Sequence, residues 1–455
     1  MSTITTPPPH GPSSVLPAVG PALLEDLPGI AGRALHQGPA WLNGLRQSAM
    51  DRFREMGLPT LKDEEWRYTN VKPIRETAFR FGGEPGAVTR ERLDEIATTL
   101  EGAIRVVFVD GVLSPELSDL DGAPEGLTVR AFEQAIEELE GLVRPVLEAS
   151  VGAARDGFEA LAGALMDTGV VVHARRNAKI DRPVLVTYFC TGGEAPLLST
   201  PRTVVIAEEG AEVKVVEDHC GPAGAVYLTN CWTDIETGPN SRVEHYLLER
   251  ESPEAFHVST LRARHERDSE MTSHRLILGG RLVRNNVWPI LAGENVTSTL
   301  NGLYVGSERQ HLDNHMRVVH EAPHCGSRQY YRGLMADRSR GVFTGRIYVH
   351  QEAQKTDAIQ SNDNLLLGEG ASVTSKPQLE IYADDVRCTH GSTTGQMSED
   401  ALFYLRARGI REEDARLALL FAFAGENLDR FTIDELREKA YAEVEVRLRA
   451  ALAAG

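Results

Sequence analysis

Cys388 and His390, in Asp384-Asp-Val-Arg-Cys388-Thr-His390-Gly391, put a thiol and an imidazole two residues apart. In an extended strand, positions i and i+2 project from the same side, ~6–7 Å apart along the backbone. Such a pair could bind one metal centre or flank one metal–sulfur cluster. Leu379, Ile381 and Ala383 have the opposite parity and read as core, so Cys388 and His390 are expected to face outward, where they could meet a second chain. The bare Cys-x-His spacing also fits a small buried hydrophobe beside a hydrogen-bonded imidazole.

A second group of donors, His311, His315, His320, His324 and Cys325, falls within fifteen residues. Imidazole and thiolate suit borderline metals, which makes a stand-alone metalloprotein using this 311–325 stretch one alternative. His320-Glu321-Ala322-Pro323-His324 matches the His-Glu-x-x-His pattern of zinc proteases, in which both imidazoles sit on one helical face. Pro323 disfavours a helix there, so the segment is expected to be a turn. In strands, 311 and 315 share one side and 320 and 324 fall on the other, which makes a common tetrahedral site awkward and favours structural or surface roles.

Several chemistries lack their residues. No Gly-x-x-x-x-Gly-Lys-Ser/Thr loop is present, and Gly368-Glu-Gly370 lacks the third glycine of a dinucleotide turn, so the chain is expected to have no nucleotide site of its own. Gly-x-Ser-x-Gly is missing as well. Asp384 and Asp385 could be recruited as acid and base by a β-helix carbohydrate-active enzyme, a further alternative, but neighbours on a strand face opposite ways.

The elements that must position Cys388 and His390 lie in a chain of 455 residues, long enough for two to four units. Lys and Arg total 48 against 66 for Asp and Glu, a net charge of −18 that argues against nucleic acid. The longest strongly apolar stretch, 417–424, is too short for a membrane span. Five scattered cysteines without a CxxC pair fit a reducing, cytoplasmic setting. A Pro-rich leader at 1–38 is expected to be disordered.

Apolar spacing then predicts a helix from about 39 to 56 stopped by Gly57, helical stretches at 90–100 and 131–148, and a strand at 104–109 within a mainly helical unit at 39–168. From 169 to 397 the texture is short alternating runs. The clearest is Leu261-Arg-Ala263-Arg-His265, and Val213-Lys-Val215 and Val243-Glu-His245-Tyr-Leu247 resemble it. Turn signals at Gly210, Gly238, Asp268 and Gly293 are 28, 30 and 25 residues apart, and Gly341 to Gly370 is 29. That spacing, with the likeness of Glu209-Gly-Ala-Glu-Val213 to Glu369-Gly-Ala-Ser-Val373, favours a β-solenoid over a sandwich. Residues 398–455 return to helix, with stops expected at Gly409 and Gly425. Thr432-Ile-Asp-Glu435 has capping-box spacing, and Leu436, Ala440, Val444, Leu448 and Leu452 form an apolar stripe for packing on a domain or a partner.

The segment 353–409 closely resembles the SufB/SufD family, scaffold subunits of the SUF iron–sulfur cluster assembly machinery. The resemblance rests on the ordered blocks Ala353-Gln-Lys-Thr-Asp357, Asn364-Leu-Leu-Leu367, Lys376-Pro-Gln-Leu-Glu-Ile381, Cys388-Thr-His-Gly391 and Phe403-Tyr-Leu-Arg-Ala-Arg-Gly409. It continues upstream through His311-Leu-Asp, Phe343-Thr-Gly345 and the N-terminal Lys62-Asp-Glu-Glu-Trp-Arg-Tyr-Thr69. It implies a right-handed parallel β-helix core flanked by N- and C-terminal helical units, and a non-enzymatic role. It further implies pairing with a SufB-like sister subunit through the β-helix, and a SufC-like ATPase on the C-terminal helices at 398–455. The implied cargo is a transient iron–sulfur cluster shared with the sister subunit, nearest to His390 with Cys388 beside it. A homodimer of the isolated chain and a reduced flavin in the complex are left open. Where the family continues His-Gly-Ala, this chain has His390-Gly391-Ser392.

Overall fold

The computed structural model describes residues 38–82, 85–120, 122–193 and 195–454; the leader expected at 1–38 lies outside them apart from Gly38. From Gly169 onward the chain passes back and forth between two sheets, so the strands of successive coils pair in parallel. Tyr227–Thr237 lies on Phe256–His265 with Leu228 beside Phe256, and Arg242–Arg250 lies on Glu270–Ile277 with Arg242 beside Glu270. Eight coils, each with a strand in either sheet, from Gly169–Ala174 and Val184–Phe189 to Ser372–Ile381 and Arg387–Gly395, form a parallel β-helix. At ~4.8 Å per strand it is ~38 Å long. The coil expected from the turn spacing is present, with lengths from 26 residues (256 to 282) to 33 (169 to 202).

What repeats is a backbone conformation more than a residue type. Asn177, Gly210, Asn240, Asp268, Asn295, His324 and Lys355 all have φ between 55° and 69°, one at the same corner of each successive coil. Each but Lys355 donates its N–H to the carbonyl just before the next corner residue, as Asn240 does to Arg267 and Asp268 to Glu294. Asn and Asp tolerate this left-handed region best among residues with a Cβ, so several coils turn without glycine. Gly238 and Gly293 stand beside the corners, not on them. Glu209–Val213 and Glu369–Val373 prove to be different corners, one leading out of the first sheet and one leading into it. Their likeness reflects shared turn chemistry and not equivalent coil positions.

Both outer faces are covered, so the strands are buried on both sides over most of the solenoid. The N-terminal helix Ala40–Met56 ends at Gly57 (φ 64°) as expected. The helix expected at 90–100 shrinks to Arg90–Asp94, and that at 131–148 splits at Leu139 into Phe132–Glu138 and Glu140–Gly152. Leu42, Met50, Phe53, Trp66 and Phe158 pack with Val204, Ile206, Leu228, Phe256 and Val258 on the outside of one sheet. Ile104–Val109 adds to the other sheet in parallel beside Val184–Phe189, and Leu127–Ala131 adds antiparallel beside Gly169–Ala174. The N-terminal region therefore caps the first coil with strands.

On the opposite side, Leu420, Ala424, Leu428, Leu436, Ala440, Val444 and Leu448 pack against Val216, Tyr246, Leu248, Leu276, Leu303 and Leu334. The apolar stripe thus meets the chain's own solenoid. Glu412–Leu428 runs through Gly425, where a Cβ would lie 2.8 Å from Tyr441 Oη; this glycine permits close helix packing and stops nothing. The expected capping box does not form. The last helix is Asp434–Ala454, the Thr432 hydroxyl donates to Glu244 Oε2 (2.6 Å), and Glu435 Oε2 accepts from the Glu101 N–H (2.8 Å). A contact with the solenoid has taken the Thr432 side chain, and one with the N-terminal region that of Glu435, from the helix start.

Candidate functional site

The last coil is the open end. Ser372–Ile381 and Arg387–Gly395 end their sheets with no strand beyond them among the described residues, and their residues are mostly half-buried to exposed. Cys388 lies in register with Ala358, and His390 with Gln360. Ala358 and Gln360 are buried in the solenoid interior, so Cys388 and His390 continue its inner row. This corrects the outward placement expected from strand parity. The corner at 382–386 separates Leu379 and Ile381 from Cys388, and parity does not carry across a corner onto another sheet. Leu379, Val386 and Cys388 border one apolar cluster with Ile347, Val349 and Ala358. His390 is solvent-exposed because no coil covers it. Burial pushes the half-buried Cys388 thiol above its ordinary pKa.

The surrounding motif residues build this end. Lys355, at a left-handed corner, pairs with Asp385, whose N–H also donates to Gln354 Oε1 (2.9 Å). Asp385 is thereby committed to a corner, which removes the Asp384/Asp385 acid–base pair. Ser392, at the place of the family's alanine, has its Oγ 2.8 Å from Ser375 Oγ on the other sheet and joins the two sheets at the open end.

The histidine-rich stretch divides, with His311 and His315 apart from His320 as parity indicated, but His324 lies on a corner outside the strands. His311 and His315 face outward onto the N-terminal motif: His311 Nε2 is 2.8 Å from Thr69 Oγ1, and His315 Nε2 is 2.7 Å from Glu65. Lys376 reaches Glu64 (3.1 Å), Trp66 Nε1 donates to Asp156 (3.1 Å), and the Arg284 guanidinium lies 4.4 Å from the Trp66 ring centroid. The block 62–69 is thus a docking strap. His320 points inward to Ser327 Oγ (3.0 Å), His324 is an exposed corner residue, and the buried Cys325 thiol donates to the Gly293 carbonyl (3.2 Å). These five residues do not form one metal site, and the His-Glu-x-x-His segment is a turn.

The solenoid interior holds a second constellation that sequence reasoning missed. His219, Cys231 and His257 come from three strands, and their ligand atoms all lie within 4.8 Å of one another. Among the described residues it is the one such His/Cys/Asp/Glu group. Burial would raise the Cys231 thiol, but the two imidazoles outweigh it and bring it down to about 7. Beside it, Glu217 accepts from Thr203 (2.6 Å) and Thr233 (2.7 Å) and lies 2.8 Å from His245 Nε2. The interior stays polar toward the open end through Arg275, Asn285 and the Gln329–Gln360 pair (2.8 Å), directly below His390. The three donors stand 12 and 26 residues apart, a spacing no local motif records. Only the inner-row parity shared by Cys231 and His257, one coil apart, could have hinted at their meeting.

The chain is thus a parallel β-helix extended by strands of the N-terminal region at one end, ending in an unpaired edge at the other, and clad with helices on both faces. Residues 189–423 match the family described as SUF system FeS cluster assembly, SufBD core domain, and residues 34–186 match the SufBD protein N-terminal region. The chain belongs to the SufBD family of iron–sulfur cluster assembly proteins. It is 32% identical to the iron–sulfur cluster assembly protein SufD of Escherichia coli, over 88% of this chain and 92% of that protein. It is 30% identical to an iron–sulfur cluster assembly SufBD family protein of Synechocystis (86% and 88%) and to protein ABCI7, chloroplastic, of Arabidopsis thaliana (88% and 84%). Among the described residues no helix is long and apolar enough to cross a membrane.

Proposed function

We propose that the chain is a non-catalytic scaffold subunit that builds a nascent iron–sulfur cluster jointly with a SufB-like sister subunit at the open end of its β-helix. The observation that carries this reading is the placement of His390, with Cys388 beside it, on the inner row of an uncapped coil. Such an edge leaves a row of backbone donors and acceptors unpaired, and Tyr382, 58% exposed, and Ile381 border it. A second chain laid on that edge would shelter the two donors from water and oxidants. A few ligands at a separable junction also let the cargo leave, which a closed four-cysteine cage would hinder.

The C-terminal unit at 398–455 is the proposed seat of a SufC-like ATPase. Its apolar stripe is used up against the solenoid, yet Phe403 (74% exposed), Tyr404 and Val446 remain in solvent. The working division is a helical unit at 39–168, a β-helix at 169–397 and the ATPase-binding helices beyond it. The proposed setting is the cytoplasm.

The test is His390→Ala and Cys388→Ala in chains co-expressed with SufB-like and SufC-like partners. Complex yield is read by size-exclusion chromatography, and iron and cluster absorbance are read on the same preparation. We expect full assembly with reduced cluster content for His390→Ala and a milder loss for Cys388→Ala. Normal assembly with normal cluster content in the His390 variant overturns the assignment, and failed assembly assigns His390 a structural role instead.

A further inference from the structure

We infer that His219, Cys231 and His257 form a resident metal site inside the β-helix for a borderline first-row divalent cation such as Fe²⁺ or Zn²⁺, separate from the cargo site at the open end. His219 comes from the strand Glu212–Cys220 of one sheet, while Cys231 and His257 come from neighbouring strands of the other. All three point into the interior and are at most 2% exposed.

Three independent features mark this as a site and not as core packing. Neither ring nitrogen of His219 has a hydrogen-bond partner, although the residue is fully buried. Orphaned buried imidazole nitrogens are costly, and a metal bond would satisfy one of them. The ring is also held in place: Tyr188 stacks on it at 4.9 Å between centroids, and His257 meets it edge-on at 5.0 Å. The Tyr188 hydroxyl is engaged with Thr203 (2.8 Å) and leaves the imidazole alone.

His257 is oriented from behind. Its Nδ1 lies 3.1 Å from Glu251 Oε2, and Glu251 is in turn fixed by the Thr229 hydroxyl, which donates to Oε1 (2.5 Å). That carboxylate–histidine arrangement is the one that fixes the tautomer of a metal-bound imidazole and leaves its other nitrogen free to ligate. The free Nε2 faces Cys231 Sγ at 3.8 Å. In a tetrahedral site with metal–nitrogen bonds of ~2.0–2.1 Å and metal–sulfur of ~2.3 Å, nitrogen and sulfur stand ~3.5 Å apart. The pair is already near that spacing, and the remaining contraction is within reach of side-chain rotation.

The donor set selects the cation. Two imidazoles and a thiolate suit Fe²⁺, Co²⁺ and Zn²⁺, whereas Mg²⁺ and Ca²⁺ require oxygen ligands that this group lacks. Three protein donors leave one coordination position open. Spanning both sheets in the second to fourth coils, a bound ion would also cross-link the solenoid at its closed half.

A fully buried site exchanges slowly, so the metal is measured on full-length chain produced in iron-, zinc- or cobalt-supplemented medium and then dialysed against chelator. We expect about one equivalent per chain, with a sulfur-to-cobalt charge-transfer band in the cobalt form. Cys388→Ser combined with His390→Ala should leave both unchanged, which separates this site from the open end. Cys231→Ser should abolish the band and lower retained metal at least about tenfold. Absence of retained metal in all three media, or retention unaffected by Cys231→Ser, overturns the inference. Should Cys231→Ser fail to fold, X-ray absorption of the wild-type cobalt form decides: one sulfur with two imidazole nitrogens supports the site, and a shell without sulfur refutes it.

Discussion

Arg250 ties three parts of the chain together, and removing it should loosen the C-terminal helix far more than removing its exposed partner. Its Nε and Nη2 donate to Asp218 at 3.0 and 2.8 Å, and its Nη1 donates to Glu443 on the last helix at 2.6 Å. Asp218 also accepts the Thr98 N–H (2.6 Å) from the N-terminal region. The Arg250 and Asp218 side chains are 8% and 0% exposed, while that of Glu443 is 40% exposed. Arg250→Met leaves a fully buried carboxylate with one backbone donor, a loss of ~3–5 kcal/mol by comparison with other broken buried pairs. Glu443→Gln breaks a half-exposed pair and should cost below ~1 kcal/mol. Converting both buried partners, as in Arg250→Met with Asp218→Leu, should cost less than Arg250→Met alone, because no charge is stranded. Urea denaturation gives the free energies, and hydrogen exchange across 434–454 locates the opening. If Arg250→Met and Glu443→Gln fall within about 1 kcal/mol of each other, Arg250 does not anchor the C-terminal helix.

Acid should release the same region by a second route. Burial works to raise the Glu244 carboxyl, but hydrogen bonds with His274, Thr432 and Tyr246 outweigh it and hold it at about 2. Because the folded value lies below the ordinary 4.5, the stabilisation is complete above about pH 4.5 and is lost as pH falls toward 2. Exchange protection of 434–454 should decline across that window and lose most of the dependence in Glu244→Gln; an unchanged profile in the variant counts against the assignment. Inside the solenoid, a Cβ on Gly302 would lie 2.2 Å from Tyr331 Cε1 of the next coil. Gly302→Ala should therefore cost ~1–3 kcal/mol, with part regained in Gly302→Ala/Tyr331→Leu, and equal denaturation midpoints for wild type and Gly302→Ala would show that the ring moves aside freely.

What the sequence determined by itself was whatever depends on neighbours along the chain. Ala40–Met56 with its glycine stop, the strand Ile104–Val109 and the inward odd positions of 261–265 follow from local periodicity, and the coil follows from turns spaced near thirty residues. The family blocks were legible for the same reason, each being a contiguous run. Tertiary structure decided everything that depends on which coil lies above which. It turned Cys388 and His390 to the inner row, because a corner resets parity. It took Thr432 and Glu435 away from a helix cap, since a solenoid carboxylate and a backbone N–H of the N-terminal region lay within reach of the two side chains. It also gathered His219, Cys231 and His257 around one point, because stacking coils bring residues tens of positions apart to within ~5 Å, a proximity that no local spacing encodes.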